Sequence, residues 1–433
     1  MTRQHLLIST VILLTLLAAA LAGDAADQNN WSQWQGPDRN SICQETGLLK
    51  KWPAEGPPLL FQHKGLGEGY STPVIHNGII YGMSWRGNRG AKVDGVWALD
   101  EASKKELWFT EIGRADEKID HNHGPRSSPT IAGNKLYALT AGGELGCLEL
   151  DSGKILWKSS FKTQLAGKMM SIWGYSESVL VDGNKVIATP GGEENSVVAF
   201  NKDSGSILWR TSIRGCNGAG YSSPVIMNVA GTKMYVCWLG TCVVGVHAET
   251  GRELWRNSKV AGRVANIPTP IVSNDHVFCT TGYNGSNGGS VLLQVVKSGN
   301  GFTAREKWHL DNKGFMNHHG GVILVNGHFF GGHGQNDGQL ACVEANTGKV
   351  KYRSRGVGRG SAAILYADGH IYYRYQDGTM ALVKPNTAKE EVVSTFKLPY
   401  DSGRASWPHP VICNGTLYLR DMDVLMCFDV KEK

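Results

Sequence analysis

Several things are missing from this chain of 433 residues, and each absence narrows its function. No long helical period follows the first two dozen residues, so the chain reads as all-β. No run of like charge occurs. The 44 basic and 38 acidic residues leave a formal charge of +6 that is too diffuse to attract nucleic acid. There is no CxxC, no CxxCH for haem attachment and no adjacent cysteine pair. Nine cysteines are an odd number for a disulfide framework. Cys147 and Cys342 fall at strand positions that suit a small buried thiol, while Cys237 and Cys242 are placed to bridge across a hairpin. What the chain has in quantity is glycine, 55 residues with 15 prolines, which suits many short strands joined by tight turns.

Those strands repeat. Cys147 to Trp157 (CLELDSGKILW) is an apolar run, a corner and a second run ending in tryptophan. Val198 to Trp209 and Val244 to Trp255 repeat it closely, and Ala98 to Trp108 and Ala341 to Tyr352 with small changes. A period of roughly 50 residues places the chain among propellers and solenoids. Gly153, Gly205, Gly251 and Gly348 supply the positive φ that an Asp-Ser-Gly or Glu-Thr-Gly corner needs. Trp108, Trp157, Trp209, Trp255 and Trp308 read as plates that dock one unit on its neighbour.

The ends of the chain complete the pattern. Residues 1–22 read as a cleavable signal peptide: Arg3 and His5, an apolar core from Leu6 to Leu17, then Ala20-Leu21-Ala22. No cysteine follows at the lipoprotein position, and the apolar core is short for a membrane span, so a periplasmic or secreted protein is expected rather than an integral membrane one. Residues 23–58 are irregular. The propeller then occupies 59–433, where Leu59-Leu60-Phe61-Gln62 is an outer strand without a hairpin before it. Val411-Ile412, Thr416 to Leu419 and Leu425 to Asp429 are three strands with no outer strand after them. Joining the two ends closes a ring and removes its exposed sheet edges. Outer strands at Phe61, Trp108, Trp157, Trp209, Trp255, Trp308, Tyr352 and Phe396 count eight four-stranded antiparallel blades; seven blades with a separate end segment is the alternative. A monomer is expected.

The repeated A-x-D-x-x-[ST]-G-x-x-x-W, seen at Leu148 to Trp157 and its copies, resembles the pyrroloquinoline-quinone (PQQ)-type propeller repeat. That resemblance implies an eight-bladed ring. It leaves function open, because the family holds quinone-dependent alcohol and glucose dehydrogenases as well as non-catalytic assembly proteins of the BamB type. The element WxxWxGPxR, Trp31 to Arg39, resembles the start of uncharacterised secreted propellers. A dehydrogenase of this family implies a calcium held by acidic and amide side chains, an aspartate base and a tryptophan platform under the quinone. Glu177, Asn266 and Asp120 have suitable chemistry, but no surrounding motif matches.

Topology then selects the residues to watch. Connections between blades and the second-to-third strand loops share one face of the ring, where variable loops on a rigid frame carry binding. His121, His123, Trp173, Glu177, His318, His319, His333 and His409 are the ligand or divalent-metal candidates on that face. Tyr70, Arg126, Arg359 and Trp407 are candidates to point into the channel, where an aromatic plate with cationic neighbours suits an anionic quinone or a sugar ring. Three functions follow: a binding or assembly module for a protein or carbohydrate partner; a PQQ- and calcium-dependent oxidoreductase acting on an alcohol or sugar; and a metal-assisted carbohydrate enzyme built on the histidine loops.

Overall fold

A computed structural model describes residues 30–119, 123–283, 288–299 and 301–433. The leader at 1–22, Asp120 and His121 therefore lie outside the described residues. Eight four-stranded antiparallel blades form a propeller, and every blade but the eighth runs inner to outer in chain order. The first blade is Val74–His76, Ile79–Arg86, Val93–Asp100 and Glu106–Arg114. The eighth takes Val411–Cys413, Thr416–Asp421 and Val424–Asp429 from the C-terminus and its outer strand, Leu59–Lys64, from the other end of the chain. Gln62 stands opposite Met426 in that antiparallel closure. The ring is eight-bladed. The described residues contain one helical turn, Phe161–Gln164, capped by the Ser160 side chain.

The repeat explains how neighbouring blades lock. The Trp157 indole donates to Lys202 O at 3.0 Å, Trp209 to Ala248 O at 3.1 Å and Trp308 to Ala345 O at 2.8 Å, each reaching the corner of the following blade. The glycine of that corner lies flat on the same indole. A Cβ on Gly205 would stand 2.7 Å from the Trp157 ring, and one on Gly251 2.6 Å from Trp209. Burying an indole of about 200 Å² contributes up to about 5 kcal/mol. Glycine is thus required twice, for its φ near +72° and for the absence of a side chain. Trp255 departs from this geometry. Its indole turns to Met234 Sδ of its own blade at 3.1 Å. The fifth blade has a long hairpin, Gly289–Ser298 with Gly301–Asp311, so no short corner arrives to receive it.

Two fully buried arginines tie the closing blades together. Arg374 of the seventh blade donates to Pro408 O at 2.9 Å, to Ser406 Oγ and to Arg420 O of the eighth. Arg420 in turn donates to Met83 O at 2.6 Å, Gly67 O at 3.1 Å and Ser71 O at 3.3 Å, in or beside the first blade. All nine cysteines are buried free thiols. The expected Cys237–Cys242 bridge does not form, because Cys237 faces Val244 across the ladder rather than Cys242.

Irregular though it is, the segment after residue 29 is not peripheral. Trp31 pairs its backbone with Ile75 of the first blade, Ser32 O accepts from Ile131 N of the second, and Arg39 donates to Ser178 O and Val179 O at the third. The Trp34 indole reaches Thr269 at the fifth. Ile42–Cys43 adds a parallel strand to the seventh, pairing with Tyr366 and Ala367. This segment therefore crosses the ring and bonds to blades on several sides of it.

Candidate functional site

The inter-blade connections converge on one cavity of about 600 Å³. Nearly every blade contributes, through residues just before or at the start of its inner strand: Tyr70 and Thr72, His123 and Arg126, Trp173 and Ser176, Tyr221 and Ser223, Pro268 and Thr269, His318 and His319, Trp407 and His409. Trp34 and Gln35 of the crossing segment also line it. The channel is thus a funnel whose wall includes part of the N-terminal segment.

Aromatic rings line this funnel in a continuous series. Tyr70 packs on Trp407 with centroids 4.6 Å apart, Trp407 meets His319 edge-on at 4.8 Å, and His319 stacks on His318 at 3.6 Å. His318 meets Tyr283 at 4.6 Å; Tyr283 stacks on Trp173 at 6.0 Å, and Trp173 tilts on Tyr221 at 5.9 Å. The Arg126 guanidinium lies over Tyr70 and Trp407, 5.5 and 5.9 Å from their centroids, and donates to Trp173 O at 3.0 Å. Arg374 and Arg420 fix this wall from behind, since their carbonyl partners Pro408 and Ser71 adjoin Trp407 and Tyr70.

Burial sets the protonation of the histidines. His318 and His409 are pushed down to about 4, and His319 well below its usual range. His123 is lowered too, by burial and then by the Arg404 charge. At neutral pH the three buried rings are neutral, offering one donor and one acceptor nitrogen each and little capacity as general acids. His318 spends Nδ1 on Ser361 Oγ at 2.9 Å.

Other candidates sit elsewhere. Glu177 is buried behind the wall, where Oε1 accepts from Thr189 N at 2.7 Å and Oε2 from Thr189 Oγ1; only its neighbour Ser176 lines the funnel. Burial raises the Glu177 carboxyl to about 7, with Arg39 opposing. His333 packs on Phe315 and bonds Met316 N at 3.2 Å and Arg353 at 3.3 Å within the sixth blade. Arg359 is exposed on a loop outside the lining. Asn266 is fully buried and holds the carbonyls of Leu239 and Gly240. The reading of the chain by loops missed Trp34 and Gln35. Their signal was the WxxWxGPxR element, which had a resemblance but no place in the ring.

A quinone and calcium site needs carboxylate donors. Among the described residues the funnel lining has no Asp or Glu, and no three His, Cys, Asp or Glu side chains are grouped to hold a metal ion.

A family model, PQQ_2, described as outer membrane protein assembly factor BamB, matches residues 92–336, more than half of the chain. The chain belongs to that family. Its curated relatives differ in what they are named for. Quinohemoprotein alcohol dehydrogenase ADH IIB of Pseudomonas putida is 30% identical over 169 residues, 37% of this chain and 23% of that protein. Outer membrane protein assembly factor BamB of Shewanella oneidensis is 27% identical over 245 residues, 51% of this chain and 54% of the relative. The chain spans about half or less of the length of these relatives. Among solved structures, BamB from Moraxella catarrhalis superposes with a TM-score of 0.57 at 14% identity, covering 86% of this chain and 99% of that one. Quinohemoprotein alcohol dehydrogenase from Comamonas testosteroni gives 0.64 at 13%, covering 96% and 82%. A computationally designed protein, Ika8, gives 0.54 at 10%, covering 85% and 100%. Such likeness establishes the propeller alone, since one ring serves an assembly factor, a dehydrogenase and a design.

Proposed function

We propose that this propeller is a periplasmic or secreted binding module whose funnel is the ligand site, and that it does not use quinone and calcium chemistry. The observation that supports this reading is the lining itself. It combines an aromatic series, neutral imidazoles, hydroxyl or amide side chains and the Arg126 and Arg404 guanidiniums, with no carboxylate among the described lining residues. Such a wall binds by shape and hydrogen bonding. Among the described residues it offers no aspartate base, and its histidines are held too far below neutrality to replace one. The leader-like residues 1–22 support export. Among the described residues no helix is long and apolar enough to cross a membrane. The relatives named as assembly factors support a protein partner as a second role for the outer surface.

A thermal-shift titration with PQQ, with and without calcium, tests this reading. A ligand that binds only the folded state raises stability by RT ln(1 + [L]/Kd), about 2.7 kcal/mol at 100 Kd. The expected result is no calcium-dependent shift. A saturable, calcium-dependent rise would replace the binding module with the oxidoreductase.

A further inference from the structure

Gln35 stands out among the lining residues. It is only 6% exposed, it lines the funnel, and its side-chain amide makes no hydrogen bond to any described residue. Its amide atoms are not sealed off by protein, so they open onto the funnel, where a bound molecule can meet them. The amide is placed with care. Its Nε2 lies beside Gly321, where a Cβ would stand 3.4 Å from it and 3.3 Å from the His409 ring. The backbone beneath is held just as firmly. Gln35 O accepts from Asn40 N at 3.1 Å and Ser41 N at 2.9 Å, Gly36 packs against the Trp31 ring, and Trp34 is anchored to Thr269 and to the His409 ring. The residue sits at φ +60°, a left-handed conformation that glycine would adopt without strain. Neither packing nor backbone geometry accounts for a glutamine here.

We infer that the funnel binds a saccharide, with the Gln35 amide hydrogen-bonded to adjacent ring hydroxyls at one end and the aromatic series flanking the sugar's apolar C–H faces. A primary amide presents two donor hydrogens and an acceptor oxygen side by side, which matches a pair of neighbouring hydroxyls that each donate and accept. The Asn336 and Gln376 amides and the neutral imidazoles line the same wall, and the Arg126 and Arg404 guanidiniums add donors that also suit sugar hydroxyls. A cavity of about 600 Å³ is within the size of sites that enclose small ligands. This inference rests on the funnel being the ligand site.

The test is a thermal-shift and calorimetric titration of the full mature protein with maltotriose, cellotriose, xylotriose and chitotriose, beside Gln35→Gly and Trp173→Ala. One or more of the four is expected to bind saturably. Gln35→Gly should weaken that binding at least tenfold while melting no lower than the parent, because glycine suits the φ at 35. A trisaccharide that binds both variants as well as the parent would overturn the inference by placing the sugar elsewhere. Binding of none of the four would also overturn it. Titration with PQQ in calcium-free buffer then separates the two levels of the argument. A shift lost in Trp173→Ala keeps the funnel as a ligand site without a sugar, and a shift that Trp173→Ala retains places binding outside the funnel and removes both.

Discussion

Arg420→Met is the perturbation that most directly probes how the ring closes. Arg420 is fully buried, and its guanidinium is held down to about 9 from 12.5, chiefly by burial. At about 1.36 kcal/mol per pH unit, keeping the charge inside costs about 5 kcal/mol. Against that cost stand four charge-assisted hydrogen bonds, to Met422 O, Met83 O, Gly67 O and Ser71 O. At about 1.5–3 kcal/mol each they return about 6–12 kcal/mol, so the arginine is net stabilising by about 4 kcal/mol. Methionine fills much of the volume but leaves those carbonyls without donors, as when one partner of a buried charged network is removed. The expected loss is about 3–5 kcal/mol in urea unfolding, with faster amide exchange in the closing strand Leu59–Lys64 than in the fourth blade. Since Ser71 adjoins Tyr70, Tyr70 should also loosen from Trp407. A loss below about 1 kcal/mol, or exchange that rises equally in all blades, would refute the role of Arg420 in closure.

Two further outcomes follow from the same structure. Gly205→Ala should cost about 3 kcal/mol, since it combines backbone strain at φ +72° with a Cβ 2.7 Å from the Trp157 ring; Gly183→Ala, at φ +59° with no atom nearby, should cost only about 1 kcal/mol. Equal losses in urea unfolding would refute glycine's part in docking the blades. Stability should also fall on acidification. His318, His333 and His409 are lowered to about 4, so the unfolded chain takes up protons first, and their contribution, full above pH 6.5, is lost as pH falls toward 4. Glu177 and Asp94, both raised to about 7, act oppositely, gaining stability as pH falls through 7. His319, lowered further still, adds to the loss, and with four histidines set against two carboxyls the net change from pH 7 to 4.5 is a loss. A protein more stable at pH 4.5 than at pH 7 in urea titrations would contradict that sign.

The sequence by itself determined the local unit and narrowed its copies to eight or seven. Alternating apolar residues around Asp-Ser-Gly corners specify a hairpin within a dozen residues, and the unmatched strands at the two ends require each other because an open array leaves unpaired edges. It also indicated the face on which loops gather, since strand direction within a blade follows from chain order. What it left open depends on contacts between distant parts of the chain. Ser176 and Glu177 are neighbours, yet one lines the funnel and the other bonds Thr189 behind it. That choice turns on which way each side chain faces as the chain enters its blade. His318 and His409 meet the funnel from the start of an inner strand or just before one, while His333 ends a second strand and packs on Phe315. The largest gap was the crossing segment. Trp34 finds Thr269 across 235 residues of sequence, and Arg39 finds Val179 across 140. No periodic pattern encodes such pairings. Only once eight blades stand in a circle does an irregular stretch become part of the wall of a cavity.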